Sequence, residues 1–274
     1  MSPISIPGKV TLAKEFTWNE TLWNPGMLST ALWLDAADVS TITESGGAVS
    51  QWDDKSGNGR NAVQASSASR PAYTTNALNG KNVLTLDGTD DFMTVAHAAA
   101  LNVQFSPKTV AVVYKKSAGF RVLQKKNAGG LTADAWFFND ANFLSVAGCY
   151  TSYGSGNQNA WEIAVNTWDG STIKSWQNGT KLVATSVNNG TLVNGELDPS
   201  FTPLSNADPI YIGKRFNPGF SSGIITGQIA GILICDTALS DADRQKLEGY
   251  YAHLFGLTAN LPNDHPYKTV GPTP

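Results

Sequence analysis

The acids most able to do chemistry together in this chain are Asp87, Asp90 and Asp91, three carboxylates within LDGTDDF. Oxygen ligands crowded into one glycine-containing turn suit a hard cation such as Ca2+. Asp-Gly pairs also make ordinary turns, in which the carboxylate bonds its own backbone. The usual calcium loop ends in a glutamate twelve positions on, and that glutamate is missing here. A second dense turn, Trp52, Asp53, Asp54, Ser56, Gly57, Asn58 and Gly59, reads either as a ligand loop with an aromatic plate or as an Asp-bonded double turn with Trp52 in the core. Sugar hydrolysis needs a pair of carboxylates, which a strand presents at alternating positions. No E-x-D-x-x-E occurs, and Glu162 in NAWEIAV has no second acid two or four residues away. The three histidines, His97, His253 and His265, form no close pair, and no nucleophile elbow precedes a helix. No catalytic residue is assigned. Tyr150, Tyr153, Trp161 and Trp168 flank the polar stretch CYTSYGSGNQNAW, and they are the candidate flat plates for sugar rings. The alternative is a long hairpin loop with its aromatics packed inward.

The elements that must position these residues are short. Apolar runs rich in Val, Ile, Thr and aromatics recur between turn signals: ALWLDA (31–36), NVLTLDG (82–88), TVAVVYKK (109–116), NFLSVAGCY (142–150), STIKSW (171–176), KLVATSV (181–187), DPIYIG (208–213) and GQIAGILICD (227–236). Asn178-Gly179 supplies the positive φ angles of a two-residue hairpin loop. No helices alternate with these runs, so the crossovers of a parallel sheet are missing and antiparallel pairing is expected throughout. Alternation along GQIAGILICD groups Ile229, Leu233 and Cys235 on one face and Ala230, Ile232 and Ile234 on the other, as in a central strand covered on both sides. The cover is a helix after Ser240, with Asp241 and Asp243 at its start, Leu247, Tyr250, Tyr251 and Leu254 as its apolar stripe, and Gly256 as its stop.

Composition supports one large sandwich. The 274 residues are 41% hydrophobic and only 15% charged, with Gly 26, Trp 8, Tyr 8 and Phe 11. A net charge of −3, without a basic run, excludes an electrostatic footprint for nucleic acid. Cys149 and Cys235 lack metal or disulfide spacing, and Cys235 reads as a buried free thiol. No segment approaches 18 apolar residues, so no membrane helix is expected, and the amino terminus does not read as a secretory signal. Residues 1–27 carry Phe16, Trp18 and Trp23 among prolines, an extended anchoring arm whose aromatics dock either on the chain's own domain or on a neighbouring subunit.

DPIYIGKRF, GQIAGILICDTALSDADRQKLEGYYAHLFGL and TANLPNDHPYK resemble the closing segment of laminin-G-like, concanavalin A-like jelly-roll domains of tailed-bacteriophage virions and bacterial surface proteins. LWLDAADVSTI, WDDKSGNGRNAVQ, RPAY and LDGTDDFM resemble the opening half of that group. The resemblance implies an all-β fold, a two-sheet antiparallel jelly-roll sandwich over residues 28–268 with a carboxyl-terminal helix and a short tail, 269–274. It also implies a non-enzymatic virion structural protein, a capsid decoration, head fibre or tail appendage assembled in the host cytoplasm. Its expected partners are other virion proteins, bound through the arm, and copies of itself as a homo-oligomer. The alternative is an adhesin or receptor-binding module that grips cell-surface glycan.

Overall fold

A computed structural model describes residues 23–103, 106–119, 121–126, 134–139, 144–146, 150–152, 159–184, 186–188, 190–193, 196–199, 207–215 and 223–274. Strand pairing among them is antiparallel throughout, as the absence of crossover helices requires. The first layer is built on Thr226–Cys235. Lys108–Ala118 takes one edge of that strand along its whole length, while Lys81–Asp87 and Thr30–Asp35 share the other edge end to end. Glu162–Trp168 and then Ile173–Gln177 extend the layer beyond Lys108–Ala118. The second layer runs Ala48–Trp52, Ala62–Val63, Met93–Val95, Ile210–Ile212, Arg121–Lys126, Asp134–Asn139 and Leu144–Val146. Among the described strands the pairing of Ala48 with Ala72 joins the layers, and an isolated bridge, Lys214 with Ile224, links them again. The fold is the expected jelly-roll sandwich.

Its two apolar clusters explain why the central strand is hydrophobic on both faces. Between the layers lie Trp52, Leu84, Leu86, Trp136, Phe138, Ile229, Ile232 and Ile234, among others. On the outer side of the first layer, Ala230, Leu233 and Cys235 meet Leu247, Tyr251 and Phe255 of the carboxyl-terminal helix. Strict alternation put Ile229 with Leu233 and Cys235, and the structure corrects this. Ile229 pairs with Tyr114 and Gly231 with Val113, so Ala230 is an extra residue, and this bulge reverses the facing of everything after it. Cys235 is a buried free thiol, and desolvation pushes its pKa up to about 12.

The helix, Asp241–Leu254, starts where a capping pair holds it. The Ser240 hydroxyl accepts from the Asp243 amide at 3.2 Å and donates to the Asp243 carboxylate at 2.8 Å. At the other end Asn79 Nδ2 donates to the carbonyls of Phe255 and Gly256, at 2.6 and 3.1 Å. Gly256 sits at φ +65 there. The anticipated stripe is present, with Leu247 and Tyr251 buried and Tyr250 and Leu254 partly so, but Arg244 and Glu248 are buried as well.

The segment after the helix folds back over it. A Cβ on Gly249 would lie 2.4 Å from Tyr267 Cβ, and one on Gly179 would lie 2.9 Å from the His265 ring. Asn178 and Gly179, at φ 50 and 80, form the two-residue loop between Gln177 and Thr180. Asn178 also accepts from the Ile163 amide through its side chain and donates to the Ile163 carbonyl, locking the hairpin to the next strand. Gly249→Ala is expected to lower stability by about 1–3 kcal/mol, the usual penalty for overpacking. It should also hasten tryptic cleavage after Lys268, whose Nζ is tied to the carbonyls of Ala259 and Leu261. Unchanged cleavage would show that the tail does not bear on the helix.

Candidate functional site

The three acids of the LDGTDDF turn do converge, with one carboxylate oxygen from each lying within 4.8 Å of the others. Gly88 makes the convergence possible. Its φ is +81, and a Cβ there would sit 2.0 Å from Thr226 Oγ1. Asp87 Oδ1 accepts from the amides of Thr89 and Asp90 at 2.7 and 3.4 Å, and Asp91 Oδ2 accepts from the Asp87 amide at 3.1 Å. Asp90 accepts from the Ser69 hydroxyl at 3.1 Å. Backbone donors, Thr89 first, hold the Asp87 carboxyl below its ordinary range, whereas burial pushes Asp91 up. Each acid therefore gives at least one oxygen to a hydrogen bond, Asp87 and Asp91 within the turn itself and Asp90 with Ser69. Among the described residues these three acids are the group whose carboxylate oxygens come close enough together for a metal ion, and exposed acids also cluster this way without one.

The second dense turn is a hydrogen-bonded knot. Asp54 accepts from the amides of Trp33, Ser56 and Arg60 and from the Ser56 hydroxyl, while Asn61 accepts from the Asp54 amide. Trp52 is fully buried in the interlayer core, so it offers no plate to a ligand. Lys55 bridges Asp35 and Asp38 at 3.2 and 2.7 Å and lies over the Trp33 ring.

Of the four aromatics proposed as a sugar platform, the side chains of Trp161 and Trp168 are among the described residues. Trp168 is 4% exposed and belongs to the interlayer core. Trp161, partly buried beside the helix-side cluster, lies under Lys115 Nζ. The two sit at opposite ends of Glu162–Trp168, about 20 Å apart by strand rise, and alternation sends them to opposite faces. Tyr150 begins the strand Tyr150–Ser152, but its side chain and all of Tyr153 lie outside the described residues. Phe16 and Trp18 of the arm also lie outside them. Trp23 is buried and meets Tyr250 edge-on at 6.1 Å, so this aromatic docks on the chain's own domain.

Two charged clusters had no sequence signal. Arg244, Glu248 and His265 form a buried network on the helix: Glu248 Oε2 accepts from Arg244 at 2.6 Å and lies 3.2 Å from His265 Nε2. The Arg244 guanidinium stacks on Trp176 at 4.4 Å. His253 stays exposed with Nε2 3.0 Å from the Tyr267 carbonyl, a contact between the last helical turn and the tail. The second cluster joins His97, Lys125 and Asp208 at one rim of the sandwich. RVLQKK reads as polar, yet its register places Lys125 between Ile210 and Trp136 and buries it completely. Desolvation lowers its pKa from the ordinary 10.5 to about 8, with Asp208 opposing the shift. Since the folded protein releases this proton at lower pH than the unfolded chain, the residue destabilises the fold below pH 8. That burden lifts as pH rises from about 8 to 10.5. Lys125→Met is expected to add about 2 kcal/mol at neutral pH and to flatten this rise. A denaturant series from neutral to alkaline pH checks both, and a variant no more stable than the parent would contradict the assignment.

A scan of family models and a search of curated proteins found no match. Among solved structures, a sialidase from Trypanosoma rangeli in complex with 2,3-difluoro-KDN matches with TM-score 0.52 and 14% identity, over 78% of this chain and 31% of that one. The same sialidase in complex with sialic acid gives TM-score 0.50 and 13% identity, over 86% and 34%. The binding domain of Paraclostridial Mosquitocidal Protein 1 gives TM-score 0.50 and 13% identity, over 81% and 52%. The chain thus spans about a third of the sialidase and about half of the toxin domain. At such identities the likeness is one of fold. The class that fold defines is the concanavalin A-like jelly-roll sandwich, here carrying a helix at its carboxyl end.

Proposed function

We propose that the chain is a non-enzymatic, lectin-like recognition module of a bacteriophage virion appendage, anchored through the residues that precede Trp23. The observation that carries the reading is the closing unit of the sandwich. Its central strand is buried on one face by the interlayer core and on the other by the helix, and the tail is fastened to that helix through Glu248 and His265. These are the segments that resemble virion and surface jelly rolls, and their burial and fastening support the reading of a display scaffold. Likeness to a toxin binding domain supports a recognition role for the sandwich. Many copies on a particle would sum weak contacts into avidity.

Deleting residues 1–22 should abolish incorporation into particles while leaving the melting temperature of the sandwich unchanged. Full incorporation of the truncated chain would remove the virion reading. The second reading, a glycan-binding adhesin, is favoured by Trp161, the one member of the proposed platform whose side chain is described as partly exposed. A glycan array that includes sialylated sugars tests it. Specific binding should fall at least about tenfold in Trp161→Ala if that ring stacks on sugar, a loss of about 1.4 kcal/mol. Release of reducing sugar by the purified protein would contradict both readings.

A further inference from the structure

Five strands of the second layer set Gln51, Val63, Thr94, Tyr211 and Gln124 opposite one another in turn, one residue from each strand. The rows on either side of this one belong to the interlayer core: Trp52, Ala62, Val95 and Ile210 in one, Met93, Ile212 and Leu123 in the other. Alternation therefore turns the row between them outward. The carboxyl-terminal helix packs on the first layer, and this side of the second is accessible along four strands. Val63 is 42% exposed, and Gln51, Thr94 and Tyr211 are partly exposed. Gln124, fully buried, ends the accessible part. At that end Phe92 meets Tyr211 at 6.3 Å with the rings tilted by 39°. Lys214 Nζ lies 3.9 Å from the centre of the partly exposed Phe92 ring and makes no ion pair among the described residues.

We propose that this outward row is a binding site for a linear polysaccharide bearing carboxylates, laid across the strands from Gln51 to Tyr211. The site rests on the recognition role inferred above and gives that role a place and a ligand class. Tyr211 brings an aromatic ring for a pyranose, and Val63 an apolar contact for the C–H face of the next sugar. Thr94, whose hydroxyl donates to the Val63 carbonyl at 3.3 Å, keeps its oxygen lone pairs for a sugar hydroxyl, and Gln51 adds an amide. Strands lie about 4.8 Å apart, so four of them span about 14 Å, the reach of about three sugars in an extended chain. The charge of the ligand follows from Lys214. Its ammonium ion sits on an aromatic ring without a carboxylate of its own, so an acidic sugar at the Tyr211 end supplies the missing counter-charge.

Fluorescence anisotropy of the full chain with labelled oligomers of galacturonic acid and of sialic acid, and with cello-oligomers as the uncharged control, tests the site. Binding of an acidic oligomer should tighten from one sugar to about three and then level off. Tyr211→Ala and Val63→Glu should each weaken it at least about tenfold. Val63→Glu changes an exposed position, and an unchanged thermal melt separates its effect from misfolding. Lys214→Gln should erase both the preference for acidic over uncharged oligomers and the weakening by salt. Trp161→Ala should leave binding unchanged. Acidic oligomers that bind the Tyr211, Val63 and Lys214 variants as they bind the parent, but fail with Trp161→Ala, overturn this site while the glycan-binding reading stands. A parent that binds sugars on the glycan array but none of these acidic oligomers overturns it in the same way. A parent that binds neither removes the site and the recognition role together.

Discussion

Glu248→Ala is expected to lower the free energy of unfolding by about 3–5 kcal/mol, the range for removing one partner of a buried ion pair. The carboxylate is fully buried and serves both Arg244 and His265. Its loss strands a guanidinium that is 5% exposed, with Trp176 and two long contacts to the exposed Asp241, 3.4 Å from Nε and 3.3 Å from Nη2, as its remaining partners. It also unfastens the tail, since His265 is the tail's buried hold on the helix. Replacing Arg244 and Glu248 together by Met and Leu should recover most of the loss, because the desolvation burden disappears with both charges. Equilibrium denaturation of the two variants measures this. A single variant within about 1 kcal/mol of the parent would mean that water already satisfies the pair.

Trp52→Ala should be comparably damaging, about 3–5 kcal/mol, because the ring is fully buried and its removal leaves a cavity between the layers. Trp52→Phe separates packing from hydrogen bonding. Nε1 of Trp52 has no partner among the described residues, so the smaller ring discards an unsatisfied donor and should cost less than about 1.5 kcal/mol. Equal damage from both substitutions would point to an unseen acceptor for the indole. Any loss of stability here is distinguishable from loss of recognition, because Trp52 sits inside the sandwich and Trp161 at its edge.

Much of the architecture could be read directly. The capping pair at Ser240 and Asp243, the stop at Gly256 and the Asn178-Gly179 loop stand in the structure as their local chemistry demanded. Several strands escaped notice for one reason. Ala48–Trp52, Ala72–Leu78 and Arg121–Lys126 are too polar or too small-sided to announce themselves, and they become strands because flanking partners complete their hydrogen bonds. Trp168 lies in the interlayer core, which was not legible because aromatic content along a polar stretch says nothing about which face of a strand a ring occupies.

Sequence alone determined the antiparallel class, the position of the helix and the meeting of Asp87, Asp90 and Asp91, because these depend on residues close along the chain. Tertiary structure decided the facing of the central strand, through one extra residue at Ala230, and the burial of Arg244, Glu248 and Lys125. Those outcomes depend on register against distant partners. Shifting a strand by one position exchanges core for solvent, and the residues themselves carry no mark of it.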